Sequence, residues 1–205
     1  LNLLKESIPP IDPNNPPQFF SFLQSYSYAD LGMSSIFIFL IIGVLLTIIL
    51  QSSSAAMTIT ISMAYAGWIG FPEAAALVLG ENIGTTITAY LVSLGANYHA
   101  KRAARAHMIF NLLGVAWMLA SFIIFIPFID YLVPGDSSDP NNIPVHLSMF
   151  HTLFNIINVG LLIWFVPQIA SIVKKMIKPS KNEKLEDEYT LEYFSTGVQP
   201  VPEIA

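Results

Sequence analysis

The stretch "LQSSSAAMT", residues 50–58, places four consecutive polar side chains inside the most apolar part of the chain. Around it, no residue from Leu31 to Phe71 is charged, a run of 41 residues. A helix of that length would measure about 60 Å, twice the hydrocarbon thickness of about 30 Å. The run must therefore turn back, and the polar residues mark the turn. Each arm then has roughly 15–18 residues, or about 22–27 Å, which favours a re-entrant helical hairpin over residues 31–71.

The composition is that of a membrane protein. Of the 205 residues, 54% are hydrophobic and 11% are charged, and the mean hydropathy is +0.59, whereas soluble domains average about 25% charged residues. The absence of cysteine excludes disulfides and thiol chemistry. The net charge is -5, and no Lys or Arg lies between Lys5 and Lys101, so nucleic acid is not an expected partner. The chain begins at Leu1 without a signal-peptide pattern, so we expect a piece of a longer protein or a processed one.

The two ends of the chain differ from its apolar middle. Residues 1–30 contain "IPPIDPNNPPQ" and are predicted to form an extracytoplasmic Pro-rich loop without regular helix. Residues 179–205 are polar and are predicted to form a cytoplasmic tail. The middle, residues 72–178, is predicted to complete an all-α integral membrane domain that begins with the hairpin.

The predicted membrane domain holds one interrupted helix and two further spans. Residues 73–96 are long enough to cross the bilayer, but "GENIGTT" at 80–86 is a poor helix sequence and predicts a broken transmembrane helix. Residues 106–129 and 145–168 are predicted to be the two further transmembrane helices.

Basic residues predict the orientation. One cluster lies at 101–105 and a second, of five lysines, at 174–184, two spans further on. Cytoplasmic loops carry the excess of Lys and Arg, so both clusters are expected in the cytoplasm and the acidic loop at 130–142 outside. The protein is then a multi-pass protein of the plasma (inner) membrane, and the 31–71 run enters and leaves on the outer side.

The polar stretches at 51–54 and 80–86 indicate one shared cavity, because non-helical backbone at membrane depth persists only where it lines a cavity or is buried in protein. Hydroxyls and amides can hydrogen-bond an anion, and their oxygens can bind Na+. Broken helices around a midplane site are typical of secondary transporters. The candidate binding residues are Gln51, Ser52, Ser53, Ser54, Asn82, Thr85 and Thr86.

A structural interpretation of the same residues stays open. The serines would then form a simple polar turn or allow close helix packing, the glycines would allow helices to approach, and the threonines would bond back to their own helix. Glu81 is the only carboxylate deep in a predicted span, and such groups are functional by default. It could neutralise a bound Na+, carry a proton, or make a structural hydrogen bond to a neighbouring helix, for example to His107.

A short motif recurs in the last two spans. "HMIFN", His107 to Asn111, returns as "HTLFN", His151 to Asn155, with His and Asn on one helix face. The two helices run in opposite directions, so the first motif is predicted near the inner side and the second near the outer side. That separation argues against a shared metal ion and favours interhelical polar packing.

Catalytic motifs are missing from the sequence. There is no G-x-S-x-G, no S-x-x-K at the serines and no H-E-x-x-H. An enzyme is therefore not expected, and an intramembrane hydrolase using a serine at 52–54 is the one enzymatic hypothesis that the polar residues leave open. Two non-enzymatic functions also fit these residues: a non-transporting membrane scaffold or regulatory subunit, and a transporter or channel for another small oxyanion.

Four segments together resemble the bacterial sodium/phosphate cotransporter family, which is related to the type II cotransporters of animals. They are "QSSSA" (51–55), "GENIGTTITA" (80–89), "KRAARAHMIFNLLGV" (101–115) and "FHTLFNI" (150–156), within a match over residues 31–175. The resemblance implies two inverted repeats, each with a hairpin, that cotransport Na+ and inorganic phosphate through a lipid bilayer without a cofactor. It implies that the serine stretch helps form the phosphate and Na+ sites with Asn82, Thr85 and Thr86 beside it, and that Na+ is held at Gln51, Ser53, Asn82 and Thr86.

The chain departs from the family pattern in two respects. It has one copy of the hairpin motif, so it resembles the second repeat, and the missing first repeat or a second copy of the chain would complete the site. Glu81 stands where many relatives have a small residue, which leaves the Na+ number and proton coupling open. The tail "LEYFSTGVQPVPEIA" is similar to the start of a PhoU-like helical domain.

Overall fold

The computed structural model describes residues 18–180, and in that part of the chain every regular element is a helix. The helices are α1 (Gln18–Ser25), α2 (Tyr28–Leu31), α3 (Met33–Leu50), α4 (Ser53–Tyr65), α5 (Phe71–Ser93), α6 (Tyr98–Leu132), α7 (Ile143–Leu162) and, after a 3-10 turn at Ile163–Phe165, α8 (Val166–Met176). The all-α prediction is confirmed for these residues. The predicted tail at 179–205, apart from its first two residues, lies outside them.

Four helical stretches are long and apolar enough to cross a membrane. They are Met33–Leu50, Phe71–Ser93, Tyr98–Leu132 and Ile143–Met176. Helix α5 is the most enclosed of the four, because half of its apolar window is buried inside the protein. Helix α4 has only 13 residues and does not belong to this group.

The chain turns between α3 and α4 at the predicted polar residues. Gln51 takes the left-handed conformation, with φ 52° and ψ 27°, and its N–H donates to the Thr47 carbonyl at 2.8 Å. Ser52 is extended, and its Oγ accepts the Ala55 N–H at 3.2 Å. This is an N-cap, in which the side chain satisfies an N–H that has no partner within the helix. Two residues thus end one helix and begin the next.

The prediction that residues 1–30 lack regular helix is wrong for the described part of that segment. The prolines end at Pro17, and Gln18–Ser25 that follows is free of proline and forms α1. Helix α2 is capped by Ser27, whose Oγ accepts the Asp30 N–H at 3.3 Å. The Tyr28 N–H donates to Glu73 Oε1 at 2.6 Å, which attaches α2 to the first turn of α5.

The prediction of a broken helix at 80–86 is also wrong, because α5 runs without interruption from Phe71 to Ser93. The glycines serve helix packing. A Cβ atom on Gly80 would collide with the Leu40 carbonyl of α3, and a Cβ atom on Gly84 would lie 2.7 Å from Thr47 Cβ. The structural interpretation of these glycines is therefore the correct one.

The polar side chains of the same stretch bond back to α5 and leave it intact. Asn82 Nδ2 donates to the Val78 carbonyl at 2.9 Å, and Thr85 Oγ1 donates to the Glu81 carbonyl at 2.8 Å. Thr86 Oγ1 donates to the Ile83 carbonyl at 2.7 Å. Such bonds to a preceding turn are compatible with a continuous helix, which explains why the polar sequence did not interrupt it.

Aromatic side chains hold α5, α6 and α7 together. The Phe150 ring of α7 meets Phe71 of α5 edge-on at 6.4 Å between centroids, and it meets Phe122 and Phe125 of α6 at 6.5 and 5.7 Å. These distances and angles are those of favourable aromatic pairs. At the other end of α6, Arg102 Nε donates to the Ile177 carbonyl at 2.9 Å, so the start of α6 lies beside the end of α8.

Replacement of Gly43 by alanine tests the close approach of α3 and α5. A Cβ atom at this position would collide with the backbone carbonyl of Leu77. We expect Gly43→Ala to destabilise the protein by about 1–3 kcal/mol, as overpacking does, measured by thermal unfolding in detergent. The matched control is Gly160→Ala on α7, where the added Cβ meets no atom within 4 Å. Equal unfolding temperatures for the two variants would contradict the packing argument.

Candidate functional site

One cavity of about 270 Å³ lies where the start of α4 meets the middle of α5. We call it the polar cavity. Four helices contribute its lining: Ser53, Ser54 and Met57 from α4, Val78, Glu81, Asn82 and Thr85 from α5, His107 and Asn111 from α6, and His151 from α7. The two polar stretches of the sequence therefore do meet around one space, although the helix that carries the second stretch is continuous.

The polar cavity gathers five of the eight predicted site residues: Ser53, Ser54, Glu81, Asn82 and Thr85. Gln51 lines a neighbouring cavity of about 820 Å³, which shares Thr85 and His107 with the polar cavity. Ser52 is the N-cap of α4. Thr86 is fully buried and does not line the polar cavity.

The four residues predicted to hold Na+ are not brought to one place. Ser53 and Asn82 line the polar cavity, Gln51 lines the neighbouring one, and Thr86 lines neither. In addition, the Oγ1–H of Thr86 is directed at the Ile83 carbonyl. Within residues 18–180, the chain therefore offers Na+ two of these oxygen donors at one cavity, rather than four.

The histidines of the two motifs line the same cavity, which corrects their predicted positions. His107 and His151 line the same 270 Å³ space, which is far too small to reach from one face of a membrane to the other. The two asparagines bond back to their own helices: Asn111 Nδ2 donates to the His107 carbonyl, and Asn155 Nδ2 donates to the His151 carbonyl. The repeated motif was the feature of the sequence that drew attention to His107, Asn111 and His151.

Glu81 is buried at the wall of the polar cavity, with 3% of its surface exposed. Thr60 Oγ1 of α4, itself fully buried, donates to Glu81 Oε1 at 2.6 Å. Among the described residues, the other carboxylate oxygen, Oε2, has no hydrogen-bond partner. The structural contact expected for Glu81 thus exists, but it comes from Thr60 and not from His107. A buried acceptor without a partner is costly.

The polar cavity has donors for an anion but no fixed positive charge. None of the described residues that line it is Lys or Arg. Arg105 is engaged with Tyr90, whose hydroxyl accepts from Nη2 at 2.9 Å and whose ring lies 4.0 Å from the guanidinium carbon. The first turn of α4 enters the cavity through Ser53 and Ser54, and a helix N-terminus favours negative charge. The described residues also hold no group of three His, Asp or Glu side chains placed to bind a metal ion.

The fold defines a class, that of all-helical proteins with several helices long and apolar enough to cross a membrane, and here a polar cavity lies between the helices. Comparison with known proteins identifies the family. Residues 30–129 match the Na+/Pi-cotransporter family, and this region of the chain belongs to that family. The match covers the turn at 51–54, the whole of α5 and most of α6.

Three relatives illustrate the range of the similarity. The chain is 41% identical over 118 residues to YqeW of Bacillus subtilis, whose name states no function, and 33% identical over 140 residues to YjbB of Escherichia coli, named as a candidate inorganic phosphate export protein. It is 37% identical over 86 residues to sodium-dependent phosphate transport protein 2A of Oryctolagus cuniculus. These matches cover 58%, 67% and 39% of this chain but 36%, 24% and 13% of the relatives. No solved structure matches the chain significantly.

Removal of the Thr60 hydroxyl tests the support of Glu81. Thr60→Val keeps the shape of the side chain but leaves Glu81 Oε1 without its donor, so we expect a loss of about 1–3 kcal/mol in the free energy of unfolding. Thr58→Val is the matched control on the same helix, because the Thr58 hydroxyl only bonds back to the Ser54 carbonyl at an exposed position. Thermal unfolding in detergent compares the stability of the two variants. Equal stability would contradict a structural role for the Thr60–Glu81 bond.

Proposed function

We propose that this chain is the second-repeat half of a sodium-coupled inorganic phosphate symporter. The observation that carries the proposal is the polar cavity, whose lining residues other than His151 belong to the region that matches the Na+/Pi-cotransporter family. Hydroxyl, amide and imidazole groups from four helices meet there, and these groups suit a small oxyanion. The relatives named for phosphate transport support phosphate as that oxyanion.

Phosphate would bind at the start of α4. Ser53 and Ser54 lie in the first turn of that helix and line the polar cavity. Their hydroxyls and the N–H groups of the turn would donate to the phosphate oxygens, as helix N-termini do for anions in general. Asn82 faces the same space from α5, and the second N–H of its Nδ2, which is not used by the bond to the Val78 carbonyl, would complete the donor set on this side of the anion.

Sodium would supply the positive charge that the cavity lacks. With no Lys or Arg among its described lining residues, a bound phosphate needs compensation from co-bound cations. Side-chain and backbone oxygens near Ser53 and Asn82, with Gln51 beside them, are suitable Na+ ligands. In this mechanism Na+ binds first and organises the cavity, phosphate then docks, and the two halves of the transporter rock to expose the site inward.

The arrangement of α3 and α4 supports a re-entrant hairpin. Helix α4 has 13 residues, which measure about 20 Å, so it is too short to cross a hydrocarbon core of about 30 Å. The turn at Gln51 and Ser52 would then lie at membrane depth against α5. The contact of Arg102 with the Ile177 carbonyl supports a position of both basic clusters on the same side of the membrane. Their excess of positive charge supports the cytoplasmic side.

A second candidate function is phosphate export, which the name of the relative YjbB favours. The same site would serve both directions, because the gradients of Na+ and phosphate, and not the side chains, determine the direction of net symport. Measurement of efflux from phosphate-loaded proteoliposomes, beside uptake into empty ones, distinguishes the two. A membrane scaffold without transport would show neither flux.

Alanine substitutions at the serines test the phosphate site. A hydrogen bond to a charged group contributes about 1.5–3 kcal/mol, so Ser53→Ala and Ser54→Ala should each weaken phosphate binding about 10-fold to 100-fold. Radiolabelled phosphate uptake into proteoliposomes that contain a polypeptide with both repeats, with and without a Na+ gradient, measures the effect. Ser148→Ala on α7 is the control, because its hydroxyl bonds back to the Pro144 carbonyl and does not line the polar cavity. Uptake that does not depend on the Na+ gradient would contradict symport. Unchanged uptake in both variants would contradict the phosphate site at the start of α4.

A comparison of chain lengths tests the half-site proposal. The 205-residue chain carries one copy of the hairpin motif, so we expect no Na+-dependent uptake from this chain alone. A longer polypeptide that supplies both repeats should take up phosphate in the same assay. Uptake by the isolated chain would mean that two copies complete the site together, and crosslinking of reconstituted protein would then reveal a dimer.

A further inference from the structure

We propose that Glu81 makes the polar cavity selective for oxyanions that carry a proton, so that phosphate and arsenate bind and sulfate is rejected. The inference rests on the proposed function and names the substrate class of that same site. It assigns Glu81 a specificity role through the unpartnered oxygen Oε2, in place of a role as ion ligand or proton carrier.

The two oxygens of Glu81 are in different situations. Oε1 accepts the Thr60 hydroxyl at 2.6 Å, which fixes the orientation of the carboxylate. Oε2 is buried and has no partner among the described residues, while Glu81 as a whole lines the polar cavity. Glu81 therefore adds an acceptor to a cavity lining in which Ser53, Ser54 and Asn82 can donate to an anion.

An acceptor in an anion site distinguishes two ions of the same shape. Near neutral pH, phosphate and arsenate carry at least one O–H group, whereas sulfate carries none and can only accept hydrogen bonds. A P–O–H or As–O–H group can donate to Oε2 and relieve the unpaired buried acceptor. Sulfate would leave Oε2 unpaired and add repulsion between negative charges, and sites with such unmet polar groups reject the wrong ligand strongly.

The contact with Thr60 predicts the result of one substitution. In Glu81→Gln, the amide oxygen would keep the hydrogen bond from Thr60, and the NH2 group would take the position of Oε2. The unpartnered acceptor of Glu81 would thus become a donor, which suits sulfate as well as phosphate. Glu73→Gln is the matched control: Glu73 is a buried carboxylate on the same helix, it accepts the Tyr28 N–H, and it does not line the polar cavity.

The experiment measures inhibition of radiolabelled phosphate uptake by unlabelled arsenate and sulfate, in proteoliposomes that contain the full transporter. In the wild type and in Glu73→Gln, we expect arsenate to compete and sulfate to be weaker by about 100-fold or more. In Glu81→Gln, the sulfate concentration needed for inhibition should approach the arsenate concentration. The sulfate-to-arsenate ratio of these inhibitory concentrations should therefore fall at least 10-fold. Thermal unfolding of each variant verifies that it is folded.

Each result has a distinct meaning. Sulfate that inhibits the wild type as well as arsenate does would overturn the inference without any variant, even if Glu81→Gln failed to fold. An unchanged sulfate-to-arsenate ratio of inhibitory concentrations in folded Glu81→Gln, together with a changed Na+ dependence of uptake, would overturn the inference. Glu81 would then be a Na+ ligand. Absence of phosphate uptake by the folded wild type would instead remove the proposed function on which the inference rests.

Discussion

The close contact between α3 and α5 is the constraint on which the rest of this structure depends. It requires Gly43 on one helix and Gly80 and Gly84 on the other, since a Cβ atom at any of the three would meet backbone or side-chain atoms of the opposite helix. In a bilayer, where apolar side chains gain little by leaving lipid, packing of this kind is a main source of helix association. It brings the end of α3 to the middle of α5, and the chain that turns back at Gln51 therefore enters the protein beside Glu81.

The chemistry of the polar cavity follows from that position. Helix α4 starts at the turn and lies against α5, so that Thr60 reaches Glu81 and the first-turn serines face Asn82 and Thr85. The cavity combines many uncharged donors with one carboxylate and has no Lys or Arg among its described lining residues. A site of this composition is poorly suited to bind an anion alone, and this connects the fold to the coupling with cations that we propose.

Several predictions failed for related reasons. The sequence "GENIGTT" has low helix propensity, yet α5 is continuous because its glycines are packed against α3 and its polar side chains bond to the preceding turn. Propensity is a weak prior that tertiary contacts override. The opposite membrane positions inferred for His107 and His151 assumed two straight antiparallel spans, but both residues line one cavity. Counting residues along a helix gives no measure of how neighbouring helices are offset.

The sequence by itself determined the all-α class, the apolar helices and the turn at Gln51 and Ser52, because these depend on local composition and on the length of an uncharged run. It also contained the family motifs that the comparison recognises over residues 30–129. Only the tertiary structure decided that Thr60 supports Glu81, that Thr86 does not line the polar cavity, and that His151 does. Those facts depend on distances between helices, which are determined by side-chain packing and leave no periodic signal in the sequence.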